Sequence, residues 1–295
     1  MCLLKIDSLT KNYGDKKGLF NFSMELNSGD IVGLIGVNGA GKTTLLNMIS
    51  GNTLPDSGEL FYKENKMEID SSYRKNFGIS VNPGFYDYMN TYENLSSILF
   101  LGEEKDKNEI DEKIRNVLNV VGLNNVEGKK IKEFSFGMKQ RLGFAQAILN
   151  TKSIMLLDEP FVGLDINGRS MVKEYIKKMV KNKNLAVIFS DHNLDEVKSL
   201  CNRLIVIRGG EKIYDGDLDI KSSVLIKVKS TIDLDENYVE ILDDFTVKIS
   251  NQNLNKKLEY IAKLTEITKI ERIINPLEKM LEVRTDAKNN KIWIN

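Results

Sequence analysis

Short apolar runs alternate with stretches of helical periodicity through the first 220 residues. The runs are rich in β-branched and aromatic side chains, which is typical of strands. The predicted strands are Leu3–Ile6, Phe22–Leu26, Ile31–Ile35, Phe77–Val81, Ile154–Leu157, Ala186–Phe189 and Leu204–Ile207. The predicted helices are Lys42–Ile49, Asp111–Val121, Met138–Leu149 and Asn167–Val180. Because strands and helices alternate, the pattern favours an α/β fold with a largely parallel sheet covered by helices.

The pattern departs from this alternation in two regions. From about Glu93 to Asn150 it is helical throughout, which predicts a helical subdomain at about residues 85–150 inserted into the sheet domain. After Ser222, three strand patterns and one helix pattern predict a small α+β C-terminal domain. These elements are Val224–Val228, Tyr238–Ile241, Phe245–Ile249 and Leu254–Leu264. We therefore expect two domains, residues 1–220 and residues 221–295.

The composition argues against several classes of protein. The 295 residues include 42 basic and 42 acidic ones, so a nucleic-acid partner held by bulk charge is not expected. Cys2 and Cys201 are too few for a disulfide framework and fit a reducing compartment. No apolar run approaches the ~18 residues of a membrane span, and the first residues lack the pattern of a secretory signal. We expect a cytoplasmic protein that would need another protein to hold it at a membrane.

The segment after the third predicted strand has the pattern of a phosphate-binding loop (P-loop). It follows Ile31–Ile35, opens a helix, and matches G-x-x-x-x-G-K-[ST]. Its glycines let backbone N–H groups surround an anion, and the helix N-terminus adds partial positive charge. Lys42 would contact the β- and γ-phosphates of a nucleotide, and the Thr43 hydroxyl would ligate Mg²⁺. The predicted nucleotide-binding residues are Gly36, Val37, Asn38, Gly39, Ala40, Gly41, Lys42, Thr43 and Thr44.

Acidic residues and a histidine follow two later strands. Asp158, at the carboxyl end of an apolar strand, is placed to hold Mg²⁺. Glu159 comes next, and the alternation of side chains points it to the other side, where it could accept a proton from a water attacking the γ-phosphate. His192, the only histidine, follows the next buried strand and could bond a γ-phosphate oxygen and that water. We predict that Glu159 and His192 are catalytic and that Asp158 and Thr43 hold the metal.

Residues Phe134–Leu142 lie between these motifs, and they resemble the signature sequence of ATP-binding cassette (ABC) ATPases. The order of motifs also fits that family: P-loop, signature, Asp158–Glu159, a loop at residues 163–165, then His192. The resemblance spans nearly all of residues 1–220. It implies a P-loop NTPase cassette with a RecA-like core, an antiparallel β subdomain and a helical subdomain, which binds ATP and Mg²⁺ and hydrolyses ATP.

Further residues are assigned to nucleotide binding by the same resemblance. Ser135 and the backbone N–H groups near Gly137 would form a second anion site at a helix N-terminus. In the family this site caps the γ-phosphate held by another subunit's P-loop, so two cassettes close head to tail around two ATP molecules, as a homodimer or a heterodimer. Asp165 would belong to the loop that crosses the interface. Tyr13 matches the aromatic residue on which such cassettes stack adenine, with an ordinary turn tyrosine as the alternative.

One position departs from the family pattern. A glutamine that contacts Mg²⁺ normally follows the strand that corresponds to Phe77–Val81 here. In this chain the nearest amide is Asn82, whose side chain is one methylene shorter. Asn82 therefore either takes the place of the glutamine at the metal or only starts a turn before Pro83.

Several segments resemble the ATPases that export bacitracin and lantibiotics. They are Asn82–Tyr86, Thr91–Leu95, Ser135–Arg141 and Pro276–Met280. The resemblance implies an exporter of peptide antibiotics or other amphipathic compounds that confers antibiotic resistance. A separate membrane permease would hold the ATPase on the inner face of the cell membrane. The aromatic residues Phe85, Tyr86 and Tyr88 either line a groove for an amphipathic helix of that permease or fill the core of the helical subdomain.

Two other functions are compatible with a cassette. One is a soluble ABC-type ATPase of DNA repair, translation or cluster assembly. Only 91 residues lie between Thr43 and Ser135, too few for the long coiled coil of repair cassettes, and translation-type proteins carry two cassettes. The other is a nucleotide-gated interaction module with little turnover. Glu159 and His192 argue against that module, while the missing glutamine keeps it open.

Overall fold

The computed structural model describes residues 1–15, 17–68, 71–101, 106–126, 128–183, 185–218, 223–236, 238–250 and 254–272. The chain divides into two units, Met1–Leu218 and Asp219–Asn295. The predicted boundary between residues 220 and 221 and the predicted exporter motif Pro276–Met280 lie outside the described residues.

The first unit contains both sheets and helices. Its strands are β1 (Cys2–Asn12), β2 (Gly18–Asn27), β3 (Ile31–Ile35), β4 (Ser57–Tyr62), β5 (Asn65–Lys66), β6 (Phe77–Ser80), β7 (Ile154–Asp158), β8 (Ala186–Asp191), β9 (Arg203–Arg208) and β10 (Glu211–Gly216). Its helices are α1 (Lys42–Ser50), α2 (Thr91–Leu101), α3 (Lys107–Val120), α4 (Phe136–Asn150), α5 (Ile166–Lys183) and α6 (Leu194–Leu200). Each strand and helix predicted in this region overlaps one of these elements.

The central sheet has the order β10-β9-β3-β8-β7-β6 among the described strands. Five strands, β6, β7, β8, β3 and β9, run parallel to one another, and β10, at the edge, is antiparallel to β9. Every residue of β3 and β8 is buried, because both faces of these apolar strands are covered. The carboxyl ends of parallel strands meet at one edge, so the segments that follow β3, β7 and β8 come together there.

A second, antiparallel sheet has the order β2-β1-β4-β5. Its buried side chains alternate along the strands, as Leu4 and Ile6 show in β1, and they share one core with side chains of α1 and the central sheet. β4 and β5 are not predicted from the sequence, because β4 begins with Ser57 and Gly58 and its first three residues are exposed.

The region between β6 and β7 is helical. α2, α3 and α4 lie here, and the only β pairing outside named strands in the described part of the chain is a bridge between Asn90 and Lys130. Asp106 caps the N-terminus of α3, because its side chain accepts hydrogen bonds from the N–H groups of Asn108 and Glu109. α4 packs on β6 and β7 and so connects this region to the central sheet.

The helix α6 lies unusually close to β3. A Cβ atom on Gly33 would stand 2.3 Å from Cγ1 of Val197 and 3.2 Å from Sγ of Cys201, so only glycine fits at this point of the strand. Burial at this contact raises the pKa of the Cys201 thiol to about 12.

The second unit is an antiparallel sheet with one helix in its described residues. Its elements are β11 (Ser223–Val228), β12 (Glu240–Asp243), β13 (Thr246–Ser250), α7 (Leu254–Leu264) and β14 (Ile267–Arg272). The strand order is β12-β13-β11-β14, around a core that includes Ile226, Val247 and Ile261. β12 begins two residues after the predicted start at Tyr238. β14 is not predicted, because Thr268, Lys269 and Glu271 interrupt its apolar pattern.

We predict that Gly78→Ala destabilises the first unit by roughly 2 kcal/mol or more. A Cβ atom there would lie 2.2 Å from the backbone oxygen of Ala147 and 1.8 Å from Oγ1 of Thr151, so α4 would have to move away from β6. Chemical denaturation measures the change. The control is Gly128→Ala, where nothing lies within 4 Å of the added atom. Equal stability of both variants would contradict this packing.

Candidate active site

The P-loop lies between β3 and α1 and requires glycine at three of its positions. A Cβ atom on Gly36 would stand 2.3 Å from the backbone oxygen of Ile207, and one on Gly41 would stand 2.8 Å from that of Gly18. Gly39 and Gly41 also have positive φ, +80° and +111°. No side chain caps the N-terminus of α1 at Gly41, which leaves this helix end to an anion. The loop therefore fits the phosphates of a nucleotide.

Lys42 is buried within this loop. Its Nζ atom donates hydrogen bonds to the backbone oxygens of Gly36, at 2.7 Å, and Val37, at 3.3 Å. Burial lowers the pKa of Lys42 from its ordinary value, and the carboxylates of Glu159 and Asp158 oppose that shift. The ammonium group is held where the loop carbonyls converge, and phosphate oxygens could replace those carbonyls as acceptors.

Three oxygen-bearing side chains form a chain of hydrogen bonds beside the P-loop. Thr43 Oγ1 donates to Oδ2 of Asp158 at 2.8 Å, and Ser190 Oγ donates to Oδ1 of the same carboxylate. Ser190 Oγ also accepts the backbone N–H of Glu159 at 3.0 Å. Hydroxyl and carboxylate oxygens are the ligands that Mg²⁺ prefers, so Thr43 and Asp158 fit the predicted metal role.

Glu159 and His192 face each other at this edge of the sheet. His192 Nδ1 lies 3.8 Å from Oε1 of Glu159 and 3.9 Å from Oδ1 of Asp191, and both His192 and Glu159 are partly open to solvent. Glu159 has a φ of +47°, a left-handed conformation that costs a non-glycine residue roughly 1–2 kcal/mol. Such strain is common at functional sites. A carboxylate and a histidine therefore lie together next to the P-loop.

Asp191 is a buried acidic residue that the sequence analysis does not assign. Burial raises the pKa of its carboxyl group, against the effect of a 2.7 Å hydrogen bond from the backbone N–H of Asn193. Its carboxylate places a second acid beside the His192 ring. The sequence signal is its position immediately before the histidine.

Tyr13 lies on the hairpin turn between β1 and β2. Its backbone N–H donates to the oxygen of Lys17 at 2.8 Å, its ring is 56% exposed, and Nζ of Lys11 stands 5.9 Å from the ring centroid. β2 begins at Gly18, whose backbone borders Gly41 of the P-loop. The hairpin therefore brings an exposed ring to the neighbourhood of the P-loop.

Asn82 lines the same cleft as the predicted metal ligands. The cleft has a volume of about 690 Å³, and its lining includes Thr43, Asn82, Asp158 and Glu159. Asn82 also has a φ of +47° directly before Pro83, so it forms the turn as well as facing the cleft. The geometry is compatible with both interpretations of this residue.

The hydrogen bonds that the structure describes for Ser135 and Asp165 are made with residues outside the P-loop. Ser135 Oγ caps α4 by accepting the N–H of Met138 at 3.3 Å. Asp165 Oδ1 accepts the N–H of Gly168 at 2.8 Å and a hydrogen bond from Nη2 of Arg141 at 3.0 Å. Gly137 packs against the loop that contains Asp165. Within the described residues, these contacts give Ser135 and Asp165 no bond to the chain's own P-loop.

Comparisons with known proteins identify the family. Residues 19–162 match the sequence model of the family described as ABC transporter. The ABC transporter ATP-binding protein YdbJ of Bacillus subtilis is 38% identical over 211 residues, which are 71% of this chain and 67% of YdbJ. The bacitracin transport ATP-binding protein BcrA of Bacillus licheniformis is 36% identical over 220 residues, 74% of this chain and 70% of BcrA. The chain is an ABC transporter ATP-binding protein.

Solved structures agree with this assignment. CbiO1 of Clostridium perfringens, part of the ABC transporter complex CbiONQ, has a TM-score of 0.61 at 26% identity, covering 74% of this chain and 89% of CbiO1. The dimeric ABC transporter cassette MJ0796 shares the fold, with a TM-score of 0.68 at 22% identity, covering 73% of this chain and 99% of MJ0796. The predicted ABC cassette fold is confirmed. Members of this family bind and hydrolyse ATP, dimerise, and work with membrane permeases.

Ser190 is a residue that the sequence analysis misses in this ABC ATPase. It is fully buried, and the parallel register of β7 and β8 pairs it with Asp158. Its hydroxyl joins the carboxylate predicted to hold the metal to the backbone of the predicted base. The sequence feature that could have indicated this role is a serine near the end of β8, the strand that pairs with the acidic end of β7.

We predict that Ser190→Ala slows ATP hydrolysis roughly tenfold, because a hydrogen bond to a charged group contributes about 1.5–3 kcal/mol. The carboxylate of Asp158 would lose its second donor, so the Mg²⁺ concentration for half-maximal rate should rise. Steady-state ATPase assays across a Mg²⁺ series measure both changes. The control is Ser199→Ala on the exposed side of α6. An unchanged Mg²⁺ dependence in Ser190→Ala would count against this role.

Proposed function

We propose that this ABC ATPase drives the export of a peptide antibiotic or another amphipathic compound through a separate membrane permease. The observation that carries the proposal is the 36% identity to a bacitracin transport ATP-binding protein over 220 residues, together with the P-loop, acidic pair and histidine at one sheet edge. No helix in the described part of the chain is long and apolar enough to cross a membrane. In this proposal a separate permease supplies the membrane path and holds the ATPase at the inner face.

ATP binding begins at the P-loop. The backbone N–H groups of residues 36–44 and the N-terminus of α1 surround the phosphates, and Lys42 exchanges its bonds to Gly36 and Val37 for bonds to the β- and γ-phosphates. The exposed ring of Tyr13 stacks on the adenine, an interaction of roughly 1–3 kcal/mol per base. These contacts orient the γ-phosphate toward the carboxyl ends of β7 and β8.

Hydrolysis transfers the γ-phosphoryl group to water. Glu159 accepts a proton from the attacking water, the new P–O bond forms, and the bond between the γ-phosphorus and the β–γ bridging oxygen breaks to leave ADP and phosphate. Thr43 and Asp158, with Asn82 as a further candidate, would hold Mg²⁺, which would stabilise the charge on the phosphates. His192, next to Glu159, donates to a γ-phosphate oxygen.

A second cassette completes each site. Ser135 accepts a hydrogen bond within the start of its own helix, and Asp165 accepts hydrogen bonds from Gly168 and Arg141, so none of these bonds reaches the chain's own P-loop. In this proposal the signature of one chain faces the γ-phosphate on another chain's P-loop. ATP thereby joins two cassettes, identical or different, and its hydrolysis releases them. Residues 1–220 form this ATPase domain, and residues 221–295 form a separate C-terminal domain.

The permease contact lies on the helical region. Tyr86 and Tyr88 are 52% and 66% exposed, with ring centroids 6.0 Å apart. Rings with this exposure do not fill the core of the subdomain, which supports the groove interpretation of the sequence. An amphipathic helix of the permease packs on them and on Phe85 at the cleft wall.

We predict that Glu159→Gln lowers the ATPase rate by at least about 100-fold, because a positioned base contributes that much or more. ATP binding should persist, and the unhydrolysed nucleotide should trap a dimer that size-exclusion chromatography detects. The control is Glu174→Gln at an exposed position of α5. Hydrolysis at the normal rate by Glu159→Gln would remove the base from its role.

Export itself is tested in a bacitracin-sensitive bacterium. The chain is expressed with a multi-span membrane protein that co-purifies with it from membranes, and the inhibitory concentration of bacitracin is measured. We predict that resistance rises with the unaltered chain and with Glu174→Gln, and that it is lost with Lys42→Ala, because Lys42 holds the phosphates. Equal resistance with Lys42→Ala would contradict ATP-driven export. No resistance with any chain would contradict bacitracin as the cargo.

A further inference from the structure

The aromatic ring of Phe136 lies on the loop that contains Asp165. Phe136 is the first residue of α4 and is 59% exposed. A Cβ atom built on Gly163 would stand only 2.4 Å from Cδ1 and 2.7 Å from Cε1 of this ring, closer than any side chain allows. Gly163 also has a φ of +74°, a conformation that favours glycine. The ring is thus seated directly on the backbone of the loop.

The same two segments meet at two further points. A Cβ atom on Gly137 would stand 2.6 Å from the backbone oxygen of Gly163, so the loop carbonyl also lies against the first turn of α4. One turn further on, Arg141 donates to Asp165 at 3.0 Å. The ion pair is exposed and contributes little by itself. The close apolar and backbone contacts are what join the first turn of α4 to residues 163–165.

The loop is continuous with the predicted base. The backbone N–H of Val162 donates to the oxygen of Glu159 at 3.2 Å, and that of Leu164 donates to Phe161 at 3.2 Å. The Phe161 ring is buried and packs edge-on against Phe189, with centroids 5.9 Å apart. Two consecutive turns therefore connect Glu159 to the loop at Gly163.

We propose that Phe136 is a positioning residue that fixes the signature of its own chain to the Gly163–Asp165 loop, so that both interface segments move as one body. This inference rests on the proposed dimer function. In that dimer the signature meets the partner's ATP, while the loop follows the chain's own Glu159. The contact of Phe136 with Gly163 therefore connects one hydrolysis site to the other.

The test is a double-mutant cycle in the Glu159→Gln background, with ATP-driven dimerisation as the readout. Phe136→Ala removes the ring, and Gly163→Ala pushes it off the loop, so both changes break one contact. We expect each to weaken dimerisation roughly fivefold to tenfold and the double variant to be no weaker than either single one. Binding of ATP to the monomer should be unchanged, and Phe136→Leu should retain most of the dimerisation because it keeps apolar bulk on the loop.

The matched control is Gly29→Ala. Gly29 also has a positive φ, +93°, but nothing lies within 4 Å of an added Cβ atom, so this change adds backbone strain without touching the ring. Its effect on stability should add to that of Phe136→Ala, and dimerisation should not respond to it. The inference is wrong if the losses of dimerisation from Phe136→Ala and Gly163→Ala add up in the double variant. It is also wrong if Phe136→Ala causes no loss of dimerisation. Absence of any ATP-dependent dimer in Glu159→Gln alone would instead contradict the proposed function.

Discussion

The parallel register of β3, β7 and β8 determines where the predicted site residues lie. Ile35, the last residue before the P-loop, pairs with Asp191, and Asp158 pairs with Ser190. These strands are buried on both faces, and a slip of one residue would turn every side chain to the opposite face. The register therefore places Thr43 within a hydrogen bond of Asp158 although the two residues are 115 positions apart in sequence.

Much of this arrangement is predictable because it is local. β3 and β7 are continuous apolar runs, and the P-loop pattern, the acidic pair and His192 each follow such a run directly. The strands that escape prediction have mixed surfaces. β4 begins with three exposed residues, and β14 has only two isoleucines among polar and charged side chains, so pairing with neighbouring strands rather than composition makes them strands.

The remainder of the site depends on contacts between distant segments. Ser190 is an ordinary strand serine until the register sets it beside Asp158, and Phe136 is an ordinary first-turn residue until the loop at Gly163 meets its ring. The signature pattern predicts that Ser135 belongs to an anion site, but only the structure shows that its hydroxyl bonds within its own helix start. Periodicity and motif spacing carry no information about such contacts, because these depend on how the sheet and the helical region pack.

The buried contact of α6 with β3 has a practical consequence for thiol chemistry. Thiolates, not thiols, react with alkylating reagents, and burial raises the pKa of both native cysteines, Cys201 to about 12. Cys201 is enclosed behind Gly33, and Cys2 is only partly accessible. A cysteine introduced on an exposed helix would therefore react far faster than Cys201, so fluorescent or spin labels can be attached at a chosen position with Cys201 left in place.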